Sequence, residues 1–281
     1  MTYQFAELAQ AVGADGAISP DEILALRRLG WGDGTIHPHE AEAIFALNHQ
    51  IADPSPEWVD FFVEALGEYV VNGREPRGYV DDAEADWLIA AIDHDGKLDT
   101  MAELELLVRV MERTSNVPDR LKAYALAQCE AAVLTGAGPT RQGGELEPGT
   151  INAAECRIIR RIIFSSGGHG PAAVSRFDAE MLFRLKDATR GQVHAPEWPR
   201  LFVDGVGNYL KGFTLAAAQI SRKRAVELNA FMDDNQANVP RFLAAVAREL
   251  PNAFSHVDLA FGRKGEPQTD YFGLAAKGAL V

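Results

Sequence analysis

Gly16-Ala17-Ile18-Ser19-Pro20-Asp21-Glu22 is the stretch whose reading decides the fold. A glycine permits a left-handed turn after a preceding helix. Ile18 is one extended, buried residue, and Ser19 can accept hydrogen bonds from the free N–H groups of a new helix. Pro20 suits the first helical position, where its missing N–H has no partner to lose. Glu22, three residues after the cap, completes a capping box. The stretch therefore predicts that one helix ends, the chain turns and another begins.

The same punctuation returns along the chain. It reads Gly34-Thr35-Ile36-His37-Pro38-His39-Glu40, then Gly78-Tyr79-Val80-Asp81-Asp82-Ala83-Glu84, then Gly96-Lys97-Leu98-Asp99 with Glu103 beyond. It continues as Gly149-Thr150-Ile151-Asn152-Ala153-Ala154-Glu155 and Gly191-Gln192-Val193-His194-Ala195-Pro196-Glu197. Val174-Ser175-Arg176-Phe177-Asp178 is a version without its glycine. Between these marks the apolar spacing is helical, as in Ile23, Leu24, Leu26 and Leu29, or Phe61, Phe62, Ala65, Leu66 and Tyr69. No run alternates as a strand does, so the expected class is all-α.

The signature also aligns the chain with itself. Gly16 falls on Gly149, Ile18 on Ile151 and Glu22 on Glu155. Further on, Pro56-Glu57-Trp58 meets Pro196-Glu197-Trp198, and Phe62, Val63, Gly67 and Tyr69 meet Phe202, Val203, Gly207 and Tyr209. Asn116-Val117-Pro118 meets Asn238-Val239-Pro240 at an offset 18 residues smaller, the interval from Gly78 to Gly96. The expected organisation is a tandem duplication: a first helical copy over 1–134, a second over 135–250 lacking one helix-turn unit, and a unique tail over 251–281. The Gly/Pro-rich stretch from Thr135 to Gly149 reads as the joint.

Across 281 residues the net charge is −13, 47% of residues are hydrophobic and 24% are charged. That composition supports a globular core and excludes a disordered, collagen-like or disulfide-rich chain. The acidic balance argues against nucleic acid or anionic lipid as a partner. Neither a secretory signal nor a membrane-spanning run is read, so the expected location is cytoplasmic. Cys129 and Cys156 sit in amphipathic stretches and read as buried, reduced thiols. Arg160-Arg161 and Arg222-Lys223-Arg224 read as solvated helix faces.

The turns Asp15-Gly16-Ala17-Ile18-Ser19-Pro20-Asp21-Glu22 and their repeats resemble those of TerB-like domains, the all-helical tellurite-resistance family. They are also similar to the second half of an EF-hand calcium loop. The first resemblance implies an acidic helical module tied to metal-linked stress and surface assembly. The second implies calcium, which needs oxygen ligands at fixed loop positions. The fullest set is Asp93, Asp95 and Asp99, with Glu103 just beyond, but Ala91 and Ala102 occupy the first and twelfth places. The competing reading makes Asp93 and Asp95 turn formers and Asp99 a helix cap.

No catalytic constellation, Walker loop or dinucleotide fingerprint appears. The expected function is a non-enzymatic interaction or scaffold module with a protein partner and scope for self-association. A calcium binder using the Asp93–Asp99 turn is the alternative. In the tail, Tyr271, Phe272 and Leu274 form an aromatic and apolar cluster. It reads either as a loosely docked terminus or as a short peptide that binds the core or a partner.

Overall fold

The computed structural model describes residues 5, 7, 16–32, 34–51, 53–93, 96–141, 147–165, 174–212 and 222–233. From Pro20 onward these form α1 (Pro20–Gly30), α2 (Pro38–Asn48), α3 (Pro56–Asn72), α4 (Asp82–Ile92), α5 (Met101–Arg113), α6 (Asp119–Thr135), α7 (Ala153–Ile163), α8 (Arg176–Ala188), α9 (Glu197–Gly212) and α10 (Arg222–Asp233). A 3-10 turn, Pro139–Arg141, lies between α6 and α7. Among the described residues there is no β-strand element, so the chain is all-α.

Local chemistry sets the helix starts. Ser19, Asp81, Thr100, Asn152 and Ser175 are extended, and each side chain accepts the N–H three residues on. Glu22, Glu84, Glu103, Glu155 and Asp178 reach back to the N–H of the cap. This reciprocal pairing satisfies N–H groups that have no partner inside the helix. In the turns before α1, α2, α4, α5 and α7, Gly16, Gly34, Gly78, Gly96 and Gly149 hold φ between 74° and 91°, in the left-handed region where a side chain is strained.

The apolar residue of the turn is buried at Ile36, Val80, Leu98 and Ile151. Val193 departs from this and is 87% exposed. Its neighbour His194 turns inward instead, accepting the Ile151 N–H on Nδ1 at 3.2 Å and packing its ring on Trp198. Ala195 N–H also donates to the Ile151 carbonyl, at 2.8 Å. Successive residues of an extended segment point opposite ways, so inward His194 sends Val193 outward. On α1 the buried face is Ile23, Leu26 and Gly30, and Leu24 faces solvent.

One core runs through α1 to α9. Its centre is α5, which buries Ala102, Leu104, Leu106, Leu107, Val108, Val110 and Met111. That helix packs against α3, α6 and α7, while α1 and α2 lean on α3. In turn α6 touches α7 and α8, and α9 lies across α7 and α8. Trp58 and Trp198, both buried, head matching aromatic groups. Phe45 meets Phe62 edge-on at 5.8 Å, and Phe183 meets Phe202 edge-on at 5.2 Å.

Two sequence expectations change. Arg160 and Arg161 do not form a merely solvated face. Arg161 is bidentate to Glu105 at 2.6 and 2.7 Å and also bonds Glu112, so it ties α7 to α5, while Arg160 pairs with Asp204. The stretch joining the expected copies is anchored rather than a free spacer: Pro139, Thr140 and Arg141 are buried. Gly149 N–H donates to the Val133 carbonyl at 2.8 Å, which holds the far end of that stretch against α6.

Candidate functional site

The Asp93–Glu103 turn joins α4 to α5. Asp93 closes α4, its N–H donating to the Ile89 carbonyl, and its Oδ1 accepts the Gly96 N–H at 2.7 Å. Gln128 of α6 clamps the loop from outside it. Its Oε1 accepts from Leu98 N–H at 3.2 Å and its Nε2 donates to the Gly96 carbonyl at 3.0 Å. The helix cap is Thr100, not Asp99, because Glu103 stands three residues after Thr100. Glu103 is buried, and its Oε2 accepts from Asp99 N–H at 3.1 Å and Thr100 N–H at 2.9 Å.

Asp93 and Glu103 are thus held by the turn's own backbone, while Asp95 lies outside the described residues. The Tyr124 hydroxyl is held far above its ordinary value, first by burial and then by Asp93, with Glu103 and Asp99 adding to it. Among the described residues no group of three or more His, Cys, Asp or Glu side chains is arranged to hold a metal ion. Tyr271, Phe272 and Leu274 also lie outside the described residues.

The buried carboxylates have structural partners. Glu155 accepts Arg141 Nε at 2.7 Å, Arg141 Nη2 at 3.0 Å, Thr140 Oγ1 at 3.1 Å and Asn152 N–H at 2.8 Å. Burial pushes its carboxyl up, and the Asn152 N–H and Arg141 pull it back. Asp178 meets Lys122 Nζ at 2.7 Å and accepts the Ser175 N–H at 2.8 Å, while Lys122 also donates to the Ile163 carbonyl. Burial pushes Asp178 up, and Lys122 opposes it. Both thiols are free and buried, and burial raises each to about 12.

Two surface features complete the inventory. A small cleft between α3 and α4 is lined by Tyr69, Val70, Arg74, Glu84 and Trp87, with the two rings edge-on at 5.4 Å. Burial raises Glu84 of its lining, against the cap N–H of Asp81. Among the described residues Leu24, Leu134, Phe177, Val193, Val203, Leu210 and Val226 expose large apolar side chains, five of the seven in the second half of the chain.

No family model, curated protein or solved structure matches the chain.

Sequence reasoning passed over Arg141, Lys122 and the Tyr69–Trp87 cleft. Arg141 and Lys122 sit 14 and 56 residues from the carboxylates they pair with, beyond the reach of any local motif. Exposed Val203 of α9 had a signal, since the sequence sets it and Gly207 against Val63 and Gly67 of α3, which are buried.

Proposed function

We propose that the chain is a non-enzymatic helical interaction module, built from two related copies and serving as a scaffold for a protein partner. The observation that carries this reading is how the buried titratable groups are engaged. Glu103, Glu155 and Asp178 each close a helix cap, and the last two also hold a cation. The thiols are pushed to about 12, far from a nucleophile's range. Groups fixed in this way support architecture, while the exposed apolar side chains of the second half supply contact area.

The turn signature's likeness to TerB-like domains points the proposal toward a stress-related or envelope-related assembly. Matching aromatic groups at Trp58–Phe62 and Trp198–Phe202, with ring centroids 6.3 and 6.0 Å apart, support the two-copy reading. In the tail, Tyr271, Phe272 and Leu274 are the proposed contact peptide for a partner or a second chain.

The test is affinity capture from source-cell extract with full-length bait, followed by cross-linking to map the contact. A partner recovered in fixed ratio, and lost with the triple variant Tyr271→Ala, Phe272→Ala, Leu274→Ala, supports the proposal. Small-molecule turnover without any such partner overturns it. The calcium alternative is read by titrating the same protein calorimetrically. Heat at millimolar calcium that disappears in Asp95→Ala would favour the alternative, whereas a flat titration removes it.

A further inference from the structure

Three of the acids that close helix caps are pushed up by burial: Glu84, Glu155 and Asp178. Two of them have a cation brought from elsewhere in the fold. Arg141 meets Glu155 at 2.7 Å, and Lys122 meets Asp178 at 2.7 Å. Glu84 is only 8% exposed, yet among the described residues no cation stands at ion-pair distance from it. Its Oε2 accepts the Asp81 N–H at 3.0 Å. The neighbouring cations are engaged elsewhere. Arg222 bonds Asp81 at 2.7 Å and the Glu75 carbonyl at 2.6 Å, and Arg74 bonds the Tyr69 hydroxyl. A buried carboxylate without a paired charge bears an unoffset desolvation cost.

Glu84 also lines the cleft between α3 and α4, with Tyr69, Val70, Arg74 and Trp87. The Trp87 ring stands edge-on to Tyr69 at 5.4 Å and to Phe45 at 5.8 Å, so a corner of aromatic surface adjoins the carboxylate. The negative face of an aromatic ring attracts a cation, most strongly where water is excluded. Arg74 is exposed, just past the end of α3, and its guanidinium reaches Tyr69 rather than Glu84. The chain's own cation thus stops short of the carboxylate. A guanidinium is weakly hydrated and stacks on aromatic rings, which favours it here over an ammonium. The net charge of −13 steers a basic partner toward the chain.

We propose that this cleft receives an arginine side chain of a protein partner, its guanidinium set against the Tyr69 and Trp87 rings and paired with Glu84. Arg74 swings out as the partner's arginine enters. That the cation comes on a protein rests on the scaffold reading; the preference of the cleft for a cation does not.

The probe is the capped tripeptide glycyl-arginyl-glycine, titrated into the full chain while the indole N–H resonance of Trp87 is followed by NMR. Trp87→Phe identifies that resonance. A saturable shift at millimolar peptide is expected. Arg74→Ala removes the competing cation and should tighten binding by about threefold. Glu84→Gln keeps the helix cap, since Gln serves at that position, and should weaken binding by about tenfold.

No shift in the Arg74→Ala chain overturns the proposal, as does equal binding by Glu84→Gln. Glycyl-glutamyl-glycine that binds and is lost with Arg74→Ala would make the cleft an anion site and overturn it. Equal binding of the leucine tripeptide would make it a merely apolar site, with the same consequence. Methylguanidinium that binds as tightly as the arginine tripeptide assigns the cleft to a free cation and overturns the protein partner. If affinity capture fails while the tripeptide binds, the scaffold reading falls and the cation site stands.

Discussion

At the residue scale, the strongest constraint is the Arg141–Glu155 pair, with both side chains almost wholly buried. Removing one member of a buried pair leaves an uncompensated charge. Arg141→Met should therefore lower stability by about 3–5 kcal/mol near neutral pH, measured by urea denaturation. The sign of its pH dependence follows from Glu155. Burial already raises this carboxyl in the folded chain, and loss of Arg141 raises it further. An acid with a raised folded pKa stabilises the fold most when protonated, below its unfolded value, and that stability is lost as pH rises through the folded value. The deficit of the variant should then be smaller at pH 5 than at pH 8. Equal deficits at the two pH values would show that Glu155 does not carry the charge left behind. The thiols give a second expectation at this scale. With both raised to about 12, neither Cys129 nor Cys156 should react with a thiol reagent at pH 8 until denaturant is added. Labelling of the native chain within minutes would contradict their burial.

At the scale of the element, the caps make the helix starts experimentally separable. Thr100→Ala and Asn152→Ala should each cost about 1 kcal/mol, since each removes an acceptor for a helix N–H. Gly34→Ala tests the turn itself. Its φ is 91° and nothing lies within 4 Å of the added Cβ, so the expected loss of about 1–2 kcal/mol comes from the backbone alone. A neutral Gly34→Ala would mean that the turn relaxes to a negative φ. These starts were readable because a cap and its acid are three residues apart and need no tertiary information. The Asp99–Thr100 choice shows the rule's precision: both residues can cap, and only counting three back from Glu103 selects Thr100. Arg161 shows its limit. Its carboxylates lie on α5, 49 and 56 residues away in sequence, so nothing near Arg161 distinguishes a strut from a solvated charge. Val193 fails for a related reason, since its exposure is set by which neighbour, His194, faces the Ile151 segment.

At the scale of the whole molecule, the question is whether the proposed copies behave as two bodies or one. Several contacts cross between them. Arg161 of α7 holds Glu105 and Glu112 of α5, Arg184 of α8 holds Glu130 of α6 at 3.0 Å, and Lys122 of α6 holds Asp178 of α8. The Arg184–Glu130 pair is partly exposed and contributes little. Lys122–Asp178 differs, because Asp178 is fully buried and its second oxygen, Oδ1, has no hydrogen-bond partner. Asp178 also caps α8, so one carboxylate couples the start of α8 to a lysine of α6. Together with the apolar contacts of α5 and α6 on α7 and α8, this predicts a single cooperative unfolding transition, with far-UV circular dichroism and tryptophan fluorescence coinciding in urea. Lys122→Met should shift that transition down by about 3–5 kcal/mol without splitting it, because the apolar seam remains. Two separated transitions in the unaltered chain would instead show that each copy closes its own core, and that the seam is a docking contact between independent folds.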